Sequence, residues 1–195
     1  MSLKASKMKQ LELDLEYLNE LSKLISKVRL CSKATALAPP YNKTVVAGGA
    51  IRDMLFNKPV SDIDVLYEGE LKADMLKQYF SDVVTSDSVY PDGFNVTHNL
   101  LHPAFPVKIQ LIQVKDIAKH IETFPSPMMR MWLDGDGIHG LDTIVYCDAK
   151  DQTFFWDQAV DLSYFLKIKH KYSDWKHVFL EKHFNPEPEE EFMEF

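Results

Sequence analysis

One stretch constrains this chain more than any other. It runs Val45-Val46-Ala47-Gly48-Gly49-Ala50-Ile51-Arg52-Asp53 and, after eight further residues, Asp62-Ile63-Asp64. Thr44 to Ala47 is a short apolar run that suits a buried strand, and Gly48-Gly49 turns the chain. Ala50 to Phe56 has helical character, which Asn57-Lys58-Pro59 ends. A strand follows at Asp62 to Tyr67. Glycines at a strand-to-helix turn let a bulky anion approach the backbone, and a helix N-terminus offers unbonded N–H groups. Asp62 and Asp64 stand two apart on a strand, so both carboxylates leave the same face. Such a pair repels itself unless a cation sits between the two. Mg²⁺ or Mn²⁺, held by these carboxylates and by substrate phosphates, is the usual resolution. An anion cradle beside a cation-binding pair points to a nucleoside triphosphate site.

The rest of the chain predicts a small mixed sheet with helices against it, an α+β class. Residues 8–30 carry Leu11, Leu15, Leu18, Leu21, Leu24, Ile25 and Val28 at helical spacing. Leu71 to Phe80 predicts another helix, and Val83 to Thr85 a third strand. Residues 87–106 are turn-rich, with a short strand at Phe94 to Thr97 paired to the clear one at Val107 to Val114. Asp116 is placed to cap a helix ending at Glu122. Strands are expected at Met129 to Leu133 and Thr143 to Tyr146, around a hairpin turn at Asp134-Gly135-Asp136-Gly137. Helices are expected at 157–169 and 173–183.

The glycine and aspartate stretch resembles the nucleotidyltransferase superfamily of DNA polymerase beta. It is most similar to the branch of class II CCA-adding enzymes and bacterial poly(A) polymerases. Gly48, Gly49, Ile51, Arg52, Asp53, Asp62 and Asp64 match that pattern in order. The resemblance implies a nucleotidyltransferase fold that moves a nucleoside monophosphate from a triphosphate to a hydroxyl, with an RNA 3′ end as the expected acceptor. Asp62 and Asp64 would be catalytic and would hold Mg²⁺ or Mn²⁺. Gly48, Gly49 and Arg52 would meet the nucleotide, Asp53 would orient Arg52 or the loop, and Arg130 would face the triphosphate or form a structural salt bridge. The family's third carboxylate is missing: the strand expected to supply it offers Lys108 and Gln110. The downstream Thr-x-Asn-Ala and Glu-Asp-x-x-Arg motifs are missing too. The match therefore implies a head domain over residues 1–155, with a short helical appendage at 156–185. Gln110 leaves room for an alternative, a non-catalytic nucleotide- or RNA-binding protein. A toxin-like modifier of tRNA or protein is a further one.

Composition narrows the setting. The net charge of −7 owes five units to glutamates in the last nine residues, so residues 186–195 are expected to form a disordered acidic tail. The appendage instead interleaves Lys167, Lys169 and Lys171 with Tyr and Trp, a pattern that suits RNA contact and equally an amphipathic helix pair with Phe165, Ile168, Phe179 and Leu180 in the core and its lysines in solvent. Two cysteines, Cys31 and Cys147, provide no disulfide framework. No apolar run approaches the roughly 20 residues of a membrane span, and no apolar signal core opens the chain, so a cytoplasmic protein is expected.

Overall fold

A seven-stranded, mostly antiparallel sheet organises the chain. The computed structural model describes residues 2–31, 43–80, 82–89, 95–142 and 149–180. Helix α1 (Ser2–Leu30) leads into β1 (Thr44–Ala47), α2 (Gly49–Leu55), β2 (Asp62–Glu68), α3 (Ala73–Tyr79) and β3 (Asp82–Val89). Next come β4 (Asn95–His102), β5 (Phe105–Val114), α4 (Ile117–Glu122), a 3-10 turn (Pro127–Met129), β6 (Trp132–Leu133) and β7 (Ile138–His139). The sheet order is β3-β4-β5-β2-β1-β6-β7, and β2 with β5 is its one parallel pair. Among the described residues, no helix is long and apolar enough to cross a membrane.

Alternation along β2 separates the two faces of the sheet. Ile63, Val65 and Tyr67 point into the main core, where they meet Leu21, Leu24, Ile25 and Val28 of α1. Leu66, on the opposite face, joins Val45, Ala47, Ile112 and Val114 under Ile117 and Ile121 of α4. Asp62 and Asp64 share the face of Leu66. Asp116 caps α4 as expected, accepting a bond from the Lys119 N–H at 3.1 Å. Asn57, at φ 53°, ends the segment after α2 in the left-handed region that asparagine tolerates.

The C-terminal unit departs from expectation. Strand β8 (Thr153–Trp156), helix α5 (Leu162–Lys171) and strand β9 (Lys176–Phe179) form a parallel strand–helix–strand unit. The helix expected at 173–183 is therefore not formed over Lys176–Phe179. There the backbone pairs with β8, and Phe179 stacks on Trp156 with centroids 5.8 Å apart. Residues 95–102, expected to be mostly turn, are a full strand because β5 gives them a partner along most of their length. Met129 to Leu133 splits into the 3-10 turn and β6, and Asp134 accepts the N–H groups of Asp136 and Gly137 in the hairpin turn expected there. Thr143 to Tyr146, Cys147 and the acidic tail lie outside the described residues. Cys31 is buried, with Sγ 3.2 Å from the Lys27 carbonyl.

Candidate functional site

Strand β1 ends at Ala47, directly opposite Asp64 on the antiparallel β2. This pairing sets the glycine turn beside the carboxylates. Gly48 has φ 74° and ψ −131°, a conformation closed to side-chain-bearing residues. Its N–H donates to the Met131 carbonyl at 3.0 Å, and its own carbonyl accepts from the Arg52 N–H at 3.3 Å, opening α2. A Cβ on Gly48 would lie 3.4 Å from the Phe124 ring. A Cβ on Gly49 would meet only Arg52 Nη2, also at 3.4 Å, so the space before Gly49 is open.

The parallel register of β2 on β5 places Lys108 beside Asp62 and Gln110 beside Asp64. The neighbours of the carboxylate pair on the adjoining strand are thus a cation and a buried amide. Asp64 Oδ1 is buried and has no hydrogen-bond partner among the described residues. Burial, and secondarily the charge of Asp62, push the Asp64 carboxyl up to about 7, with Lys108 and Lys167 opposing them. A cation at Asp62 and Asp64 would supply the missing partner and remove the repulsion, so these residues fit a divalent metal. Among the described residues no cluster of three or more His, Cys, Asp or Glu side chains forms a larger metal site.

Asp62 and Asp64 open into a cleft of about 520 Å³ that also takes in Gly48, Gly49, Arg52 and Asp53. Its apolar wall contains Phe124, Pro125, Met129 and Val160, and its far wall is α5. Sequence reasoning did not single out Phe124 or Tyr164 for this cleft, nor Tyr172 for the joint behind it. For Tyr164 a signal existed. Tyr164, Lys167, Ile168 and Lys171 follow three- and four-residue steps, one helix face, and all four line the cleft.

Arg52 and Asp53 form a buried joint between α2 and α5. Arg52 is 1% exposed and Asp53 2%. Arg52 Nη2 lies 2.7 Å from Asp53 Oδ1, and the Tyr172 hydroxyl donates to the same oxygen at 2.9 Å. The Arg52 guanidinium also lies over the Tyr172 ring, 5.3 Å from its centroid. Asp53 thus holds the Arg52 guanidinium in place. Lys171 donates to Asp53 Oδ2 at 2.6 Å, to the Pro59 carbonyl and to Ser61 Oγ.

Three expected site residues are placed differently. Arg130 does not line the cleft: Nη1 and Nη2 grip Asp157 at 2.7 and 2.8 Å, and Nε and Nη2 donate to the Phe124 carbonyl. It ties the C-terminal unit to the segment after α4. Lys171 is held inside the joint rather than presented to a nucleic acid. Lys169 lies over the Phe165 ring, 5.6 Å from its centroid, away from the cleft. Of the three lysines, Lys167 alone lines the cleft without an ion pair or hydrogen bond among the described residues.

No protein-family model and no curated protein matches the chain. Solved structures are similar in fold. The chain resembles a CCA-adding enzyme with CTP at 18% identity and a TM-score of 0.50, over 72% of this chain and 36% of that one. A CCA-adding enzyme with ATP gives 18% and 0.50 over 75% and 35%, and an apo form gives 16% and 0.50 over 71% and 36%. The chain thus spans about a third of the length of these neighbours. At this identity the likeness shows the fold alone: an α+β arrangement, a mostly antiparallel sheet with helices against it, shared with part of these enzymes.

Proposed function

We propose that the protein is a metal-dependent nucleotidyltransferase that moves a nucleoside monophosphate from a nucleoside triphosphate to a hydroxyl, with pyrophosphate as leaving group. One observation carries this reading. Asp62 and Asp64 leave one strand face beside the glycine turn, and a buried Asp64 oxygen there has no hydrogen-bond partner among the described residues. Mg²⁺ bound to Asp62 and Asp64 would supply Lewis-acid stabilisation of the attacking and leaving oxygens. The chain's own residues do the rest. Gly49 leaves the phosphate approach open, and the first turn of α2 presents backbone N–H groups. Phe124, Pro125 and Val160 offer an apolar wall for a base. Arg52, held by Asp53, supports the cleft from behind.

An RNA 3′ end is the proposed acceptor, as the resemblance of the glycine and aspartate stretch implies. We also propose the division into a head through residue 155 and an appendage to 185. Gln110 beside Asp64 favours a second reading, nucleotide binding without turnover, because an amide is a weaker, neutral metal ligand and cannot take the acceptor proton as a carboxylate does. Incubating the full chain with labelled triphosphates, Mg²⁺ and bulk RNA separates the two. Label on RNA, lost in Asp62→Asn/Asp64→Asn, supports transfer. Label on protein assigns a protein acceptor, and binding without any label transfer assigns the second reading.

A further inference from the structure

The triphosphate brings several negative charges into a cleft that already holds Asp62 and Asp64. A cation at the carboxylates offsets only part of that charge. The other cations offer little more: Asp53 takes both Arg52 and Lys171 as partners, the three groups together leaving a single positive charge, and Lys108, beside Asp62 on β5, does not line the cleft. Lys167 is different. It stands one helical turn before Lys171 on the same face of α5, and it lines the cleft with both aspartates. It is exposed and makes no ion pair among the described residues. Helix α5 also cannot rotate it away: Ile168 is 1% exposed in the main core, and Lys171 is bonded to three groups of the loop before β2 and of α2.

We infer that Lys167 is the cation that receives the phosphate tail of the nucleotide. The C-terminal unit, rather than the sheet, supplies the cleft's polyphosphate charge, and the Asp53–Lys171 contact fixes the helix that carries it. This rests on the nucleotidyltransferase reading. It also moves Lys167 from acceptor contact, its expected role, to the nucleotide.

The test is calorimetric titration of the full chain with ATP, CTP and AMP in Mn²⁺, and with a single-stranded RNA oligonucleotide. Parent, Lys167→Gln, Lys167→Arg and Lys169→Gln are compared, each checked for an unchanged melting temperature. Losing one charge-assisted phosphate bond should weaken the triphosphate bound by the parent about tenfold in Lys167→Gln. AMP affinity should stay within about twofold, and Lys167→Arg and Lys169→Gln should bind as the parent does. If the parent binds and Lys167→Gln binds triphosphate equally well, the assignment of Lys167 fails alone. Equal loss of ATP and AMP, or loss of RNA binding with triphosphate binding intact, also overturns it. If the parent binds neither ATP nor CTP, the nucleotidyltransferase reading falls and the inference with it.

Discussion

Lys171 Nζ stands 2.6 Å from Asp53 Oδ2, closing a contact across 118 residues of chain. The other carboxylate oxygen of Asp53 holds Arg52 and the Tyr172 hydroxyl. One buried carboxylate therefore joins the glycine-turn helix to the C-terminal unit, and both elements wall the same cleft.

Removing that carboxylate should uncouple them. Asp53→Ala leaves the Arg52 guanidinium buried without a counter-charge, a loss of about 3–5 kcal/mol. In a chain of this size the melting temperature should fall by about 10 °C. Lys171→Met keeps the Arg52–Asp53 pair and should lose far less. Thermal unfolding of both variants checks this; an Asp53→Ala protein that melts with its parent would show that the joint contributes nothing to stability.

The two glycines should respond differently to a side chain. Gly48→Ala forces a positive φ on a residue that resists it, so about 1–3 kcal/mol of stability should be lost. At Gly49 a Cβ meets the Arg52 guanidinium only at ordinary contact distance, and a valine side chain fills the phosphate approach. Gly49→Val should keep most of its stability and lose triphosphate affinity. Melting curves and calorimetric titration of the two variants separate the effects, and unchanged affinity in a folded Gly49→Val protein removes the glycine cradle from the account.

What the sequence made legible was mostly local. The β1–α2–β2 run and the α4 cap follow from neighbouring residues, and the carboxylate face follows from a two-residue spacing. What it hid was long-range. Lys176-His177-Val178-Phe179 carries no alternation that marks a strand, and it becomes one because Thr153–Trp156 lies parallel to it. Arg130 carries no mark in the sequence of its pairing with Asp157, 27 residues away. Lys169 and Lys171 look equivalent to Lys167 in a basic run, yet two steps of about 100° turn Lys169 off that face and over Phe165, while Lys171, back on the face of Lys167, is taken by Asp53 from 118 residues away.

Asp64 should give the unliganded protein a marked pH dependence. Its folded carboxyl titrates at about 7, above the unfolded value of 3.8. Between those values the folded state holds a proton that the unfolded state has released. This group's contribution is therefore complete below the unfolded pKa and is lost as pH rises through about 7. Full burial would make the loss about 4 kcal/mol, and solvent at the open side of the cleft screens it to about 2 kcal/mol. Asp64→Asn should abolish that part of the pH slope. Denaturant unfolding at pH 4.5 and pH 8 in a chelator compares the two, and identical slopes in parent and variant would place the carboxyl at an ordinary value.

Changing both carboxylates tests the metal reading without any assumption about the acceptor. Asp62 and Asp64 repel each other across one strand face, and Asp64 carries a buried oxygen without a partner among the described residues. Asp62→Asn/Asp64→Asn removes the repulsion and the metal site together. Without ligand, the double variant should be at least as stable as the parent. The parent should gain about 2.7 kcal/mol from Mg²⁺ with triphosphate at a hundredfold excess over its dissociation constant. The double variant should gain nothing and should transfer no nucleotide. A pair retained for structure alone would behave in the opposite way, since loss of its hydrogen bonds would lower the unliganded melting temperature by several degrees. Four melting curves decide between the two: parent and double variant, each with and without Mg²⁺ and triphosphate. A much lower melting point for the variant, together with a parent indifferent to the ligands, would remove the carboxylate pair from any role in nucleotide chemistry.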